Sequence, residues 1–181
     1  MAKNEVRIIS GKWKGRKLRF ADRPNLRPTL GRARETLFNW LAADISSARC
    51  LDLFAGSGAL GFEAASRGAE HVTFVEPDRA AAKALKANIA LLDASSLSVA
   101  TTDAKRFLRE ADDRWDIVFL DPPFDTPLLD EALALLPAHL APQALVYWES
   151  RVPLEPPEGF ERAKNNRAGD AHFGLLRWDG S

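Results

Sequence analysis

The chain has 181 residues, 46% hydrophobic and 28% charged, with 25 basic side chains balancing 25 acidic ones. That composition suits one globular domain with a small extension and excludes a disordered chain; no run of eighteen apolar residues could span a bilayer, and Met1-Ala2-Lys3-Asn4-Glu5 is not an apolar leader. A single cysteine, Cys50, excludes an internal disulfide and a cysteine-based zinc site, so a cytoplasmic location is expected, with Cys50 as packing.

Charge is unevenly spread. Met1 to Arg34 carries eleven Lys or Arg against Glu5 and Asp22, a net +9 that leaves −9 for the remainder. A basic block on an acidic body points to a polyanionic partner. Within it, Val6-Arg7-Ile8-Ile9 and Arg16-Lys17-Leu18-Arg19-Phe20 alternate apolar with basic residues around the turn-rich Ser10 to Gly15. This predicts a β-hairpin, apolar face inward and basic face outward. Trp13 suits either stacking on a base or packing. Arg27-Pro28-Thr29 reads as extended, because Arg27 precedes a proline. Thr29 or a neighbour then caps a helix running to about Ala43, with Leu37, Phe38, Trp40 and Leu41 as its apolar stripe and Arg32 and Arg34 near its start.

From Arg49 strands and helices alternate. The expected strands are Cys50 to Phe54, His71 to Val75, Leu97 to Ala100, Asp116 to Leu120 and Ala144 to Trp148. Between them lie helices over Ala59 to Arg67, Asp78 to Leu92, Ala104 to Glu110 and Pro127 to Leu136. A terminal hairpin, Phe160 to Arg167 with Ala171 to Trp178, completes the sheet. The rhythm predicts an α/β fold: a doubly wound, mostly parallel, seven-stranded sheet with an N-terminal β-hairpin and helix extension. The division expected is residues 1–45 for the extension and 46–181 for the body. Trp40, Trp115, Trp148 and Trp178 are expected in the core.

Leu51-Asp52-Leu53-Phe54-Ala55-Gly56-Ser57-Gly58 reads as a buried strand running into a tight turn that opens a helix, the glycines letting the backbone approach a ligand. The glycines alone also fit a dinucleotide fingerprint, so a nicotinamide-dependent dehydrogenase stays open at this point, as does a non-catalytic RNA-binding module. Asp52 favours a cationic ligand such as the amino-acid end of S-adenosylmethionine (AdoMet). Glu76, twenty residues past Gly56, can accept from both ribose hydroxyls. Asp103 can accept from an adenine amine or cap the helix that follows. Then comes Asp121-Pro122-Pro123-Phe124, where an apolar strand ends in a carboxylate, two prolines and an aromatic ring. Asp121 and the Pro122 carbonyl can both accept from one planar amine, and Phe124 offers a face for a purine. His71, His139 and His172 lack metal-ligand spacing, and no metal is expected.

Asp121-Pro122-Pro123-Phe124 resembles the D/N-P-P-Y/F motif of methyltransferases acting on exocyclic amines, and with the glycine-rich turn it is similar to the AdoMet-dependent Rossmann-like class. The front narrows this. Gly11-Lys12-Trp13-Lys14-Gly15-Arg16-Lys17-Leu18, Arg27-Pro28-Thr29 and Arg34-Glu35-Thr36-Leu37-Phe38-Asn39-Trp40-Leu41 resemble the bacterial RsmD-type 16S rRNA guanine-N2 methyltransferases. The resemblance covers nearly the whole chain; one departure is Ala168, before Gly169-Asp170, where members often carry an aromatic. It implies methyl transfer from AdoMet to a guanine N2 amine, with DNA or RNA adenine-N6 methylation as the closest competitor. Catalytic positions would be Asp121, Pro122 and Phe124. AdoMet would be held by Asp52, Phe54, Gly56, Gly58, Glu76 and Asp103. RNA would be held by Lys12, Trp13, Lys14, Arg16, Arg27, Arg32 and Arg34. The implied partner is 16S rRNA in the small ribosomal subunit or its assembly intermediate, met by a monomer without membrane.

Overall fold

The computed structural model describes residues 4–21 and 31–180. Its N-terminal part is a hairpin of β1 (Glu5–Arg7) and β2 (Lys17–Arg19), in antiparallel register with Val6 opposite Leu18. The alternation works as expected: Ile8 and Leu18 are buried, while Lys12, Lys14, Arg16, Lys17 and Arg19 face outward. Helix α1 (Gly31–Trp40) buries Ala33, Leu37 and Phe38 at helical spacing and ends three residues earlier than expected. Arg27-Pro28-Thr29, and with it the expected helix start, lies outside the described residues.

The body is one seven-stranded sheet in the order β5-β4-β3-β6-β7-β9-β8. Strands β3 (Arg49–Asp52), β4 (His71–Val75), β5 (Leu97–Ala100), β6 (Trp115–Leu120) and β7 (Leu140–Ser150) run parallel. β8 (Phe160–Ala168) and β9 (Ala171–Trp178) form the terminal hairpin, with β9 antiparallel against β7. Helices α2 (Ala59–Ser66), α3 (Arg79–Leu91), α4 (Ala104–Glu110) and α5 (Leu128–Leu135) fill the connections. The central strands are apolar on both faces because two layers cover them. One layer joins Cys50, Phe74, Phe119 and Tyr147 to α1, α2, α3 and the N-terminal hairpin, so the extension shares its core with the sheet. The other joins Leu51, Val75, Val118 and Trp148 to α4 and α5.

Two expectations shift. β3 ends at Asp52, two residues short, because Phe54 already belongs to the turn. β7 starts at Leu140, four residues early, and its pairing with β6 slips near Gln143, which has a left-handed φ of 62°. Trp115 and Trp148 are buried, and Trp40 and Trp178 pack against the two layers. Cys50 is fully buried, and burial pushes its thiol pKa far above the usual range; it is packing. No helix among the described residues is long and apolar enough to cross a membrane.

Candidate active site

The parallel strands all end at one edge, where an open α/β sheet binds its ligands. A cleft of about 1030 Å³ lies there, lined from Asp52, Glu76, Asp103, Asp121 and Glu149 among others. Each of these carboxylates ends or follows a different parallel strand. Four of them stand an even number of residues from Cys50, Phe74, Phe119 and Tyr147, side chains of one core layer, and so emerge on that face of the sheet. Cofactor sites usually measure about 300–1,000 Å³. The cleft therefore has room for a large cofactor.

At the glycine-rich turn, Glu76 is 3% exposed and rigidly held. Its Oε2 accepts from the Gly56 amide at 2.9 Å and its Oε1 from the Asp78 amide at 2.9 Å. These two backbone bonds fix the carboxylate at the turn, and the residue lines the cleft where a ribose would lie. Asp52 is also buried, and its Oδ2 accepts from the Gly61 amide at 3.0 Å. Burial raises the Asp52 carboxyl to about 7; the Gly61 bond opposes this and Glu76 adds to it. An ammonium group beside it would favour the ionised form. Asp103 caps α4, its Oδ1 accepting from the Arg106 amide at 2.9 Å, and it also lines the cleft, so both of its expected roles are compatible. Phe54, Gly56 and Ser57 line the same wall. Together these residues fit AdoMet: buried carboxylates for the ribose and ammonium ends, with apolar surface between.

Gly58 is a correction. It is buried behind the wall with φ 79°, and a Cβ there would come within 2.6 Å of Leu85 and Phe62. Its requirement for glycine comes from the core and the backbone, and it is not among the residues that line the cleft.

The opposite wall is the turn after β6. Pro122 is buried, Asp121 and Phe124 are half-buried, and the Thr126 hydroxyl donates to the Pro123 carbonyl at 2.8 Å. Asp125 adopts a left-handed φ of 61° and pairs with Arg151 at 3.3 Å. The Arg151 guanidinium also lies 5.6 Å from the Phe124 ring centre. Next to Asp121, at the end of β7, stands Glu149, 6% exposed, with its Oε2 accepting from the Tyr147 hydroxyl at 3.2 Å. The sequence reading missed Glu149, Tyr147 and Arg151. Only the pairing of β6 with β7 brings them to the motif.

The basic face is anchored by α2. Glu63 is fully buried and accepts from the Ile9 amide at 2.9 Å, the Ser10 amide at 3.0 Å and Arg67 Nε at 2.8 Å. Ser66 Oγ accepts from the Trp13 amide at 3.0 Å and donates to the Ser10 carbonyl at 2.6 Å. Gly11, with φ 83°, lies so close to the Ser66 carbonyl that no Cβ fits. The turn thus presents Lys12, Lys14 and Arg16 outward from a fixed base. Trp13 packs against the core layer, and Lys12 Nζ lies 4.3 Å from its ring centre. Arg32 is exposed near the start of α1. Arg34 is a second correction. It is 7% exposed and its Nη2 donates to the Arg7 carbonyl at 2.8 Å, so it ties α1 to the hairpin instead of facing RNA. Arg27 lies outside the described residues.

The chain is similar to known proteins over nearly its whole length. Residues 6–177 match the family model described as conserved hypothetical protein 95. The ribosomal RNA small subunit methyltransferase D of Escherichia coli is 51% identical over 82% of this chain and 76% of its own length. Its namesake from Haemophilus influenzae is 45% identical over 97% of this chain and 95% of its own. The solved structure of yhhF from Escherichia coli superposes with a TM-score of 0.91 at 45% identity, covering 98% of this chain and 99% of that one. By this match over most of its length, the chain belongs to the RsmD family of AdoMet-dependent methyltransferases.

Proposed function

We propose that the chain methylates the exocyclic N2 amine of a guanine in 16S rRNA, acting as a monomer on the small ribosomal subunit or an assembly intermediate of it. One observation carries the reading: Asp121, Pro122 and Phe124 face the same cleft as Glu76 and Asp52. An amine-holding rim and a cofactor-holding wall thus share one space.

Asp52, Gly56, Glu76 and Asp103 would hold AdoMet, which would supply a sulfonium methyl; the C–S bond would break as the C–N bond forms, S-adenosylhomocysteine would leave, and one N2 proton would pass to water. Guanine N2 is a poor nucleophile because its lone pair is delocalised into the ring. Asp121 and the Pro122 carbonyl accept its two N–H bonds and aim the lone pair. The two prolines stiffen that turn, and Phe124 supports the base by stacking. Aim of this kind is worth up to roughly 7–11 kcal/mol of barrier. The target base leaves its stack to reach the rim, which costs a few kcal/mol. Residues 1–45 form the RNA-holding extension on the catalytic body 46–181, with Lys12, Lys14, Arg16 and Arg32 as backbone contacts.

The test is transfer of labelled methyl from AdoMet into small ribosomal subunits, followed by digestion and mass spectrometry of the nucleosides. N2-methylguanosine is expected. N6-methyladenosine, or no label, would contradict the reading.

A further inference from the structure

We infer that Glu149 selects the target base: its carboxylate accepts the N1–H of the guanine whose N2 amine Asp121 holds, and purines without that N1–H are refused. This rests on the guanine reading above and adds to it the group that enforces it.

Leu120 pairs with Trp148 across β6 and β7, so Asp121, just past the end of β6, and Glu149, the next residue of β7, leave adjacent strands that lie roughly 4.8 Å apart. By parity with Phe119 and Tyr147 they emerge on the same face of the sheet, and both line the cleft. Guanine presents N1–H and N2–H side by side on one edge. Adenine presents a bare acceptor at N1. An ionised carboxylate only accepts, so Glu149 matches the first edge and repels the second. Only 6% of Glu149 is exposed, which makes a mismatched acceptor expensive to leave facing it. The Tyr147 hydroxyl fixes its direction by donating to Oε2 at 3.2 Å. Tyr147 is buried and its own pKa is raised, first by that burial and then by Glu149 and Asp121, so the phenol stays a donor at working pH.

The experiment uses diaminopurine riboside, which keeps the N2 amine but has a bare acceptor at N1. It is placed by splinted ligation at the methylated position of small-subunit RNA, and the RNA is assembled into subunits. Methyl transfer is compared with the guanosine subunit, alongside AdoMet affinity. The wild-type protein should prefer guanosine by at least ~100-fold. Glu149→Gln, whose amide can donate to the bare N1, should bring that ratio within ~10-fold while AdoMet affinity holds. Tyr147→Phe, which leaves the carboxylate but frees its direction, should lower the ratio too, and it keeps the question open to test should the glutamine variant not fold. Equal rates on both bases in the wild type, or an unchanged ratio in both variants, would overturn the assignment of Glu149. Failure of the wild type on the guanosine subunit would instead overturn the guanine reading beneath it.

Discussion

Asp52→Asn should stabilise this protein while weakening its hold on AdoMet. The Asp52 carboxyl sits 2% exposed with its pKa raised to about 7, against about 4 for an unfolded chain. Between those values the folded state keeps a proton that the unfolded state releases, so stability falls as pH rises through the window. The handicap is absent well below pH 4 and complete above about 7. At about 1.4 kcal/mol for each tenfold in proton affinity, it comes to roughly 1–2 kcal/mol at pH 5 and on the order of 4 kcal/mol at pH 8. Asparagine has the same shape, keeps an acceptor for the Gly61 amide and carries no charge to desolvate. Urea unfolding of parent and variant at pH 5 and pH 8 reads the difference directly. The variant's advantage should grow by about 2–3 kcal/mol between them. At pH 8 its AdoMet affinity should drop by roughly 1.5–3 kcal/mol, the worth of a charge-assisted contact with the ammonium. An advantage that is equal at both pH values would refute a buried carboxylate that holds its proton in the folded state.

Glu63→Ala strips the acceptor from two hairpin amides and from Arg67 at a fully buried site. Breaking such a pair costs about 3–5 kcal/mol, so urea unfolding should fall by that order, and exchange of the Ile9 and Ser10 amides should accelerate. Reversing the charges of Lys12, Lys14 and Arg16 should weaken RNA binding without touching AdoMet affinity. The salt dependence of binding should flatten by about 0.7 in slope for each phosphate the turn no longer neutralises, as read by titration at several salt concentrations.

How much of the site is legible in the sequence follows from the range of each interaction. The wall around Gly56 and the rim at Asp121 are local: a few consecutive residues encode a strand end, a turn and the groups it displays. Glu76 is placed by a fixed spacing within one strand-helix-strand unit. Glu149 and Arg151 carry no local signature, since their relevance depends on β7 lying beside β6. Glu63 and Ser66 read as stray polar residues in an apolar helix. Their meaning depends on a hairpin more than fifty residues upstream docking on that face. Charge points Arg34 to RNA and motif points Gly58 to the ligand, but burial decides both. Neither the arginine held against the hairpin nor the glycine pressed on Leu85 and Phe62 can be told from its surface counterpart without tertiary contacts.

The central claim is that Asp121 works by accepting from the target amine and aiming it, which single-turnover methylation of small subunits by Asp121→Ala and Asp121→Asn tests most directly. Alanine should lose at least ~100-fold in rate with AdoMet affinity nearly intact, whereas asparagine, which keeps an acceptor oxygen, should retain measurable turnover. Equal loss in the two variants would replace aim with obligatory proton abstraction by the carboxylate, and full activity in Asp121→Ala would remove the motif from the active site.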